Sequence, residues 1–305
     1  MKATLPWLLI MAVIASCQTS PTTTPTTTPA VKDTALKATD SGYADVNGLK
    51  MYYEVYGSGK PLVLLHGSFM NINTNWASII PQFAEGRQVI VAEMQAHGRT
   101  KDIPRAFRYE NMADDVSGLL THLKIDSADV LGYSMGGGIA YQFAIRHPQQ
   151  LRRLVILSST YAHDGWWPEV EASFATFTPD MFKGTPIEDQ FKLYNNNDTT
   201  HFGDFIKKVM SADIGTYDWT AAAKQIKAPI FQLIGDADGV RYEHAIELFK
   251  AKGGGKMGDM GGLPESRLAI LPGTTHIGMM VNTKVWMPMV IDFLDGDLKA
   301  PPPSF

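Results

Sequence analysis

Six short apolar runs, "PLVLLHG", "QVIVAEM", "ADVLGYS", "LRRLVILSS", "APIFQLIGD" and "RLAILPGTTH", punctuate the chain from Pro61 to His276. Within them Val, Ile and Leu follow one another with little polar alternation, the pattern of strands covered on both faces. Between them lie "YENMADDVSGLLTHL", "GGIAYQFAIRHP" and "YEHAIELFKAK", whose apolar residues recur at helical spacing. This alternation dictates an α/β fold: a mostly parallel sheet with helices on both faces. Ahead of the first run, "GYADVNGLKMYYEVYGSG" reads as two strands joined at Asn47-Gly48, a strong hairpin signal. With 305 residues and 45% apolar content, the chain can bury one large core of this kind.

Two stretches interrupt the rhythm. From Tyr161 to about Gln225 there is no strand run but a concentration of aromatic residues, which predicts a helical cap inserted over the sheet. Its rings, together with Phe69, nominate a substrate pocket containing Trp166, Trp167 and Phe177. The second stretch, "KGGGKMGDMGGLPE", reads as a glycine-rich loop before the last strand.

The formal charge of -4, without a basic run, argues against a nucleic-acid partner. Cys17 is the only cysteine, so no intramolecular disulfide is available. It follows Met1 to Ser16, "MKATLPWLLIMAVIAS", which has one early cation and an apolar stretch too short to span a membrane. That order is a secretion signal, and "VIASC" resembles a bacterial lipobox. The resemblance implies cleavage before Cys17 and its lipidation. Residues 17–40 continue as a Thr/Pro tract that cannot bury apolar surface and reads as an extended tether. The expectation is an exported, membrane-anchored lipoprotein of the bacterial envelope, on the periplasmic side of the outer membrane in a Gram-negative cell. The folded domain is expected over 41–298, with a disordered tail at 299–305.

The segment "LGYSMGGG" sets Ser134 among glycines between a strand run and a helix pattern. A strand-to-helix turn of the G-x-S-x-G type forces the serine backbone into a sparsely allowed conformation, and the glycines leave room where side chains would collide. Such a turn exposes Ser134 Oγ at the carboxyl end of the sheet. A hydroxyl is a poor nucleophile near neutral pH, so it needs a base and a carboxylate to orient that base. Asp238, in "LIGDADGV", and His276, in "LPGTTH", follow later strand runs in that order. Asp236 stands two residues from Asp238 and competes with it.

From Ser41 to about Leu298 the chain resembles the α/β-hydrolase fold superfamily. The resemblance rests on "GYSMGG" as nucleophile elbow, "LLHGSF" as oxyanion loop, "GDAD" as acid turn and "PGTTH" as histidine turn. In "EMQAHGRT" the loop after the fourth strand keeps an acid, Glu93, but only half of the usual "RGxG". The resemblance implies Ser134 as nucleophile, His276 as base, and the amides of Met135 and Ser68 as oxyanion donors. Family spacing from Gly235 selects Asp238 over Asp236 as the acid. His66 and His97 are expected to support loops. The implied reaction is hydrolysis of a small to medium apolar carboxylic ester or lactone, with no metal and no organic cofactor. A serine at the elbow excludes the alkyl-ester chemistry of aspartate-bearing relatives such as epoxide hydrolases. Carbon-carbon hydrolysis, cofactor-free haloperoxidase chemistry and non-catalytic ligand binding remain alternatives. Oligomeric state is not legible.

Overall fold

The computed structural model describes residues 36–214 and 216–298. The proposed signal peptide, Cys17, nearly all of the tether and the tail at 299–305 lie outside the described residues. Eight strands form one sheet: β1 (Asp40–Val46), β2 (Leu49–Tyr56), β3 (Lys60–Leu65), β4 (Arg87–Ala92), β5 (Ala128–Tyr133), β6 (Leu151–Leu157), β7 (Ile230–Ala237) and β8 (Arg267–Thr275). Their spatial order is β1-β2-β4-β3-β5-β6-β7-β8. The pairs β1–β2 and β2–β4 are antiparallel, and all other pairs are parallel. Asn47 and Gly48 both adopt positive φ, 49° and 81°, as a two-residue hairpin turn requires. The first strand begins at Asp40, one residue before the expected start of the domain.

Among the described residues, eleven α-helices accompany the sheet. The first three are α1 (Ile80–Ala84), α2 (Tyr109–His122) and α3 (Met135–Arg146). Between β6 and β7 come α4 (Pro168–Phe174), α5 (Pro186–Tyr194), α6 (Phe202–Ile214) and α7 (Thr220–Gln225). The last four are α8 (Tyr242–Ala251), α9 (Gly258–Gly261), α10 (Gly278–Val281) and α11 (Thr283–Asp295). The glycine-rich stretch before β8 thus contains one short helical turn, α9.

The unbroken apolar runs are explained by two cores. Val63, Leu65, Ile90 and Val130 face one side, with α2 and α3. Leu62, Leu64, Val89, Val91 and Leu131 face the other, with α1 and α11. Alternate residues of one strand therefore serve different cores, and a polar residue there needs a buried partner, as Gln232 of β7 finds in Tyr141 and Asp129 of β5 in Arg87. The helices α4 to α7 form the cap, where Phe182, Phe202, Ile206 and Met210 make a small core of their own against Phe69 and Phe174.

The chain runs from β3 to β4 on one side of β3 and returns to β5 on the other. The connections leaving β3 and β5 consequently diverge, opening a crevice at the carboxyl ends of the strands. Ser68 follows β3 and Ser134 follows β5, so the topology places both at that crevice.

Candidate active site

Ser134 has φ 53° and ψ −118°, a left-handed conformation that a non-glycine residue adopts only under constraint. The glycines around it explain how it is tolerated. A Cβ on Gly132 would lie 2.1 Å from the Gly136 carbonyl oxygen, and one on Gly136 would lie 2.0 Å from the Leu65 carbonyl oxygen. Gly137 and Gly138 press in the same way on Ser159 and the Tyr109 ring. The turn is tight because α3 starts directly against β3 and β5, and only glycine fits the contacts.

His276 Nε2 lies 2.9 Å from Ser134 Oγ, and His276 Nδ1 lies 2.9 Å from Asp238 Oδ1. Tyr133 fixes the turn carrying His276 by donating its hydroxyl proton to the His276 carbonyl at 3.0 Å. The Asp238 side chain is fully buried, while that of His276 is about a third exposed. Asp238 Oδ1 also accepts the Gly239 amide at 2.6 Å. Burial alone would raise the Asp238 pKa. The facing His276, the buried Ser158 hydroxyl and the Gly235 amide outweigh it and hold the carboxyl below the usual aspartate range.

Asp236 is placed elsewhere. Its Oδ1 accepts the Thr274 amide at 3.1 Å and its carbonyl accepts the Tyr242 hydroxyl, so it ties the end of β7 to β8 and α8.

The oxyanion turn is held on both sides. The Gly67 amide donates to Asn75 Oδ1 at 2.8 Å, and the Phe69 amide donates to His97 Nε2 at 3.2 Å. Between these fixed amides lies that of Ser68. Across the crevice, the Met135 amide opens α3, where the helix dipole favours negative charge. His66 Nε2 accepts the Met94 amide at 3.0 Å, so its proton sits on Nδ1 and is donated to the Gly67 carbonyl at 2.8 Å. His97 uses the same tautomer, donating from Nδ1 to the Gln95 carbonyl at 2.9 Å.

Glu93 is buried and chelated by Arg99, whose backbone amide, Nε and Nη2 all reach it. A Cβ on Gly98 would meet the Glu93 carboxylate at 2.4 Å. The Glu93 carboxylate thus fills the space beside Gly98 and holds the loop there through Arg99. Asn71, Asn75 and Arg99 were not singled out in the sequence. The asparagine-rich "NINTNW" immediately after the oxyanion loop is the signal that marks two of them.

Burial holds these histidines neutral. The pKa of His97 is lowered to about 3, and that of His244, stacked on Tyr161 with ring centroids 3.6 Å apart, to about 4. Below the ordinary value of 6.5 the unfolded chain takes up a proton at each, and the folded chain does not until those lower values are reached. Stability therefore falls as pH drops from about 6.5 toward 4, by about 1.4 kcal/mol per pH unit for each histidine. The melting temperature is expected to fall by about 3 °C per unit per histidine over that window. His244→Gln should flatten the slope, and a flat wild-type profile would show that neither histidine is held neutral.

The pocket residues divide. The Trp166 ring stands 5.8 Å from His276 and 5.6 Å from Phe174. Phe177 lies 6.5 Å from Phe174 and 5.9 Å from Phe182, which lies 5.1 Å from Phe69. These rings form a continuous arch of contacts from His276 to the residue following Ser68. Trp167 is not part of it. Its ring packs edge-on against Tyr242 at 5.5 Å, because the bridge from Trp166 to Val240 turns successive side chains to opposite sides.

A family profile described as the alpha/beta hydrolase fold matches residues 60–201. The chain has the α/β-hydrolase fold. The solved enol-lactonase from Burkholderia xenovorans LB400 superposes with a TM-score of 0.61 at 21% identity, covering 83% of this chain and 99% of that one. Among curated proteins, 2-hydroxymuconate semialdehyde hydrolase from Pseudomonas sp. (strain CF600) is 36% identical over 115 residues, 37% of this chain and 41% of the relative. Soluble epoxide hydrolase from Corynebacterium sp. (strain C12) is 38% identical over 114 residues, 37% of this chain and 40% of the relative. The matches to these curated relatives thus span about two fifths of their length.

Proposed function

We propose that the chain is a serine hydrolase that cleaves a small to medium apolar carboxylic ester or lactone through an acyl-enzyme on Ser134. The observation that carries this reading is the hydrogen-bonded series from Ser134 Oγ through His276 to Asp238, with Ser134 held at the mouth of the crevice. His276 takes the Ser134 proton as Oγ attacks the carbonyl carbon. The amides of Met135 and Ser68 receive the developing oxyanion, and Asp238 stabilises the imidazolium. The carbonyl then re-forms, the alkoxide leaves with the proton from His276, and a water activated by His276 releases the acid. Residues Met1 to Ser16 and Cys17, read as an export signal and lipid anchor, complete the proposal by placing this activity at a membrane surface.

The arch of Trp166, Phe174, Phe177, Phe182 and Phe69 supports an uncharged acyl or aryl group. A carboxylate enclosed by rings loses hydration without gaining a partner. The likeness to 2-hydroxymuconate semialdehyde hydrolase favours a second reading, carbon-carbon bond hydrolysis at the same serine. The test compares p-nitrophenyl hexanoate with its hemisuccinate analogue, alongside fluorophosphonate labelling. The neutral ester should be preferred by about 100-fold in kcat/KM. Preference for the anionic ester would sink the apolar-substrate reading and send the search to acidic ring-cleavage products.

A further inference from the structure

The last turn of the cap helix α5 rests on two loops of the sheet domain. Tyr194 Oη accepts from Asn73 Nδ2 at 3.0 Å, and Lys101 Nζ donates to the Tyr194 carbonyl at 2.7 Å. Both bonds lie at the exposed rim, where such contacts contribute little. The third is different. Asn71, only 3% exposed, donates from Nδ2 to Gln190 Oε1 at 3.2 Å. The orientation of both carboxamides follows from the network. Asn71 Oδ1 accepts the amides of Asn73 and Thr74 at 2.9 and 3.1 Å, so its nitrogen faces Gln190, and Gln190 must present its oxygen.

What Asn71 holds is the support of the oxyanion turn. It caps the helical turn Ile72–Trp76, with Thr74 Oγ1 accepting the Asn71 amide in return. Asn75, within that turn, accepts the Gly67 amide, and Gly67 precedes Ser68. The space between α5 and the oxyanion turn, lined by Phe69, Asn71, His97 and Gln190, is a cavity of about 20 Å³, room for a single water. The Gln190–Asn71 bond thus joins α5 to the support of the turn.

We propose that Gln190 is a positioning residue for the oxyanion turn: by holding the Asn71 carboxamide, it couples the seating of the cap to the orientation of the Ser68 amide. The inference rests on the acyl-transfer reading and deepens it. An acyl group long enough to reach the arch presses the cap into place, and its binding energy is then expressed in the rate of the chemical step. An acetyl group, too short to reach it, gains less.

The experiment uses the folded domain with Gln190→Ala, which removes the acceptor, and Gln190→Glu, which keeps it. Measurements are kcat and KM for p-nitrophenyl acetate and hexanoate, the rate of fluorophosphonate labelling of Ser134, and the melting temperature. Gln190→Ala should lower kcat for the hexanoate by about tenfold, with KM within about twofold, because the oxyanion amide is misplaced rather than lost. It should slow labelling by a similar factor and shrink the difference in kcat between the two esters. Gln190→Glu should recover most of the loss. A rise in KM with kcat unchanged would overturn the proposal, as would equal losses in both variants accompanied by a matching fall in melting temperature. Unchanged kinetics in Gln190→Ala beside a reactive wild type would overturn it alone. A wild type that neither labels nor turns over would instead remove the acyl-transfer reading, and this inference with it.

Discussion

Ser134→Ala is expected to reduce kcat on a p-nitrophenyl ester by about 10⁴- to 10⁶-fold and to abolish fluorophosphonate labelling, while leaving the fold intact. The size of the effect follows from the roles in the hydrogen-bonded series. In the proposed mechanism Ser134 Oγ is the atom of the series that bonds to substrate, and His276, 2.9 Å from it, moves the protons of both the attack and the release of the acid. His276→Ala should therefore cost about as much, and the double variant should fall no further, because the two residues act as a unit. The stability change should be small. Alanine keeps the Cβ and the strained backbone at φ 53°, so the strain remains and only one hydrogen bond, worth about 1 kcal/mol, is lost. Steady-state kinetics with a melting curve separate the outcomes. If the two single losses multiply in the double variant, the residues act independently and the proposed mechanism fails.

The elbow was legible because its constraint is local. Gly132, Ser134 and Gly136 lie within five positions, and the contacts that demand glycine come from strands whose apolar runs are equally plain. The sheet was legible for the same reason, since strand and helix periods differ and both cores ask for uninterrupted Val, Ile and Leu. The cap was legible as composition only. Trp166 and Trp167 are adjacent and chemically identical, yet one stands beside His276 and the other packs on Tyr242. What separates them is a single backbone bridge to Val240, far away in sequence. The support of the oxyanion turn was illegible in the same sense. Gln190 lies 119 positions from Asn71, and no local pattern records that the two carboxamides meet. Glu93 shows an intermediate case: its acidic character could be read, but its chelation by Arg99 depends on the close approach at Gly98.

The two aspartates of "GDAD" give the sharpest contrast between neighbouring positions. Asp238→Asn is expected to lower kcat by about 10³- to 10⁴-fold, whereas Asp236→Asn should stay within about threefold of wild type. At Asp236 the structure needs an acceptor for the Thr274 amide, and an asparagine Oδ1 supplies one without a charge. At Asp238 no orientation of an amide works. Oδ1 receives both His276 Nδ1 and the Gly239 amide, while Oδ2 faces the Gly235 amide at 3.5 Å. With its oxygen toward His276, asparagine sets its NH₂ against the Gly235 N–H. With its nitrogen there, it sets N–H against N–H at Gly239 and selects the tautomer of His276 that cannot accept the Ser134 proton. Either way the imidazolium formed during attack loses its buried counter-charge, a loss felt more in the transition state than in the ground state. The fall should therefore appear in kcat with KM nearly unchanged. Equal losses at the two positions, or a larger one at Asp236, would show that the acid of the series has been misassigned.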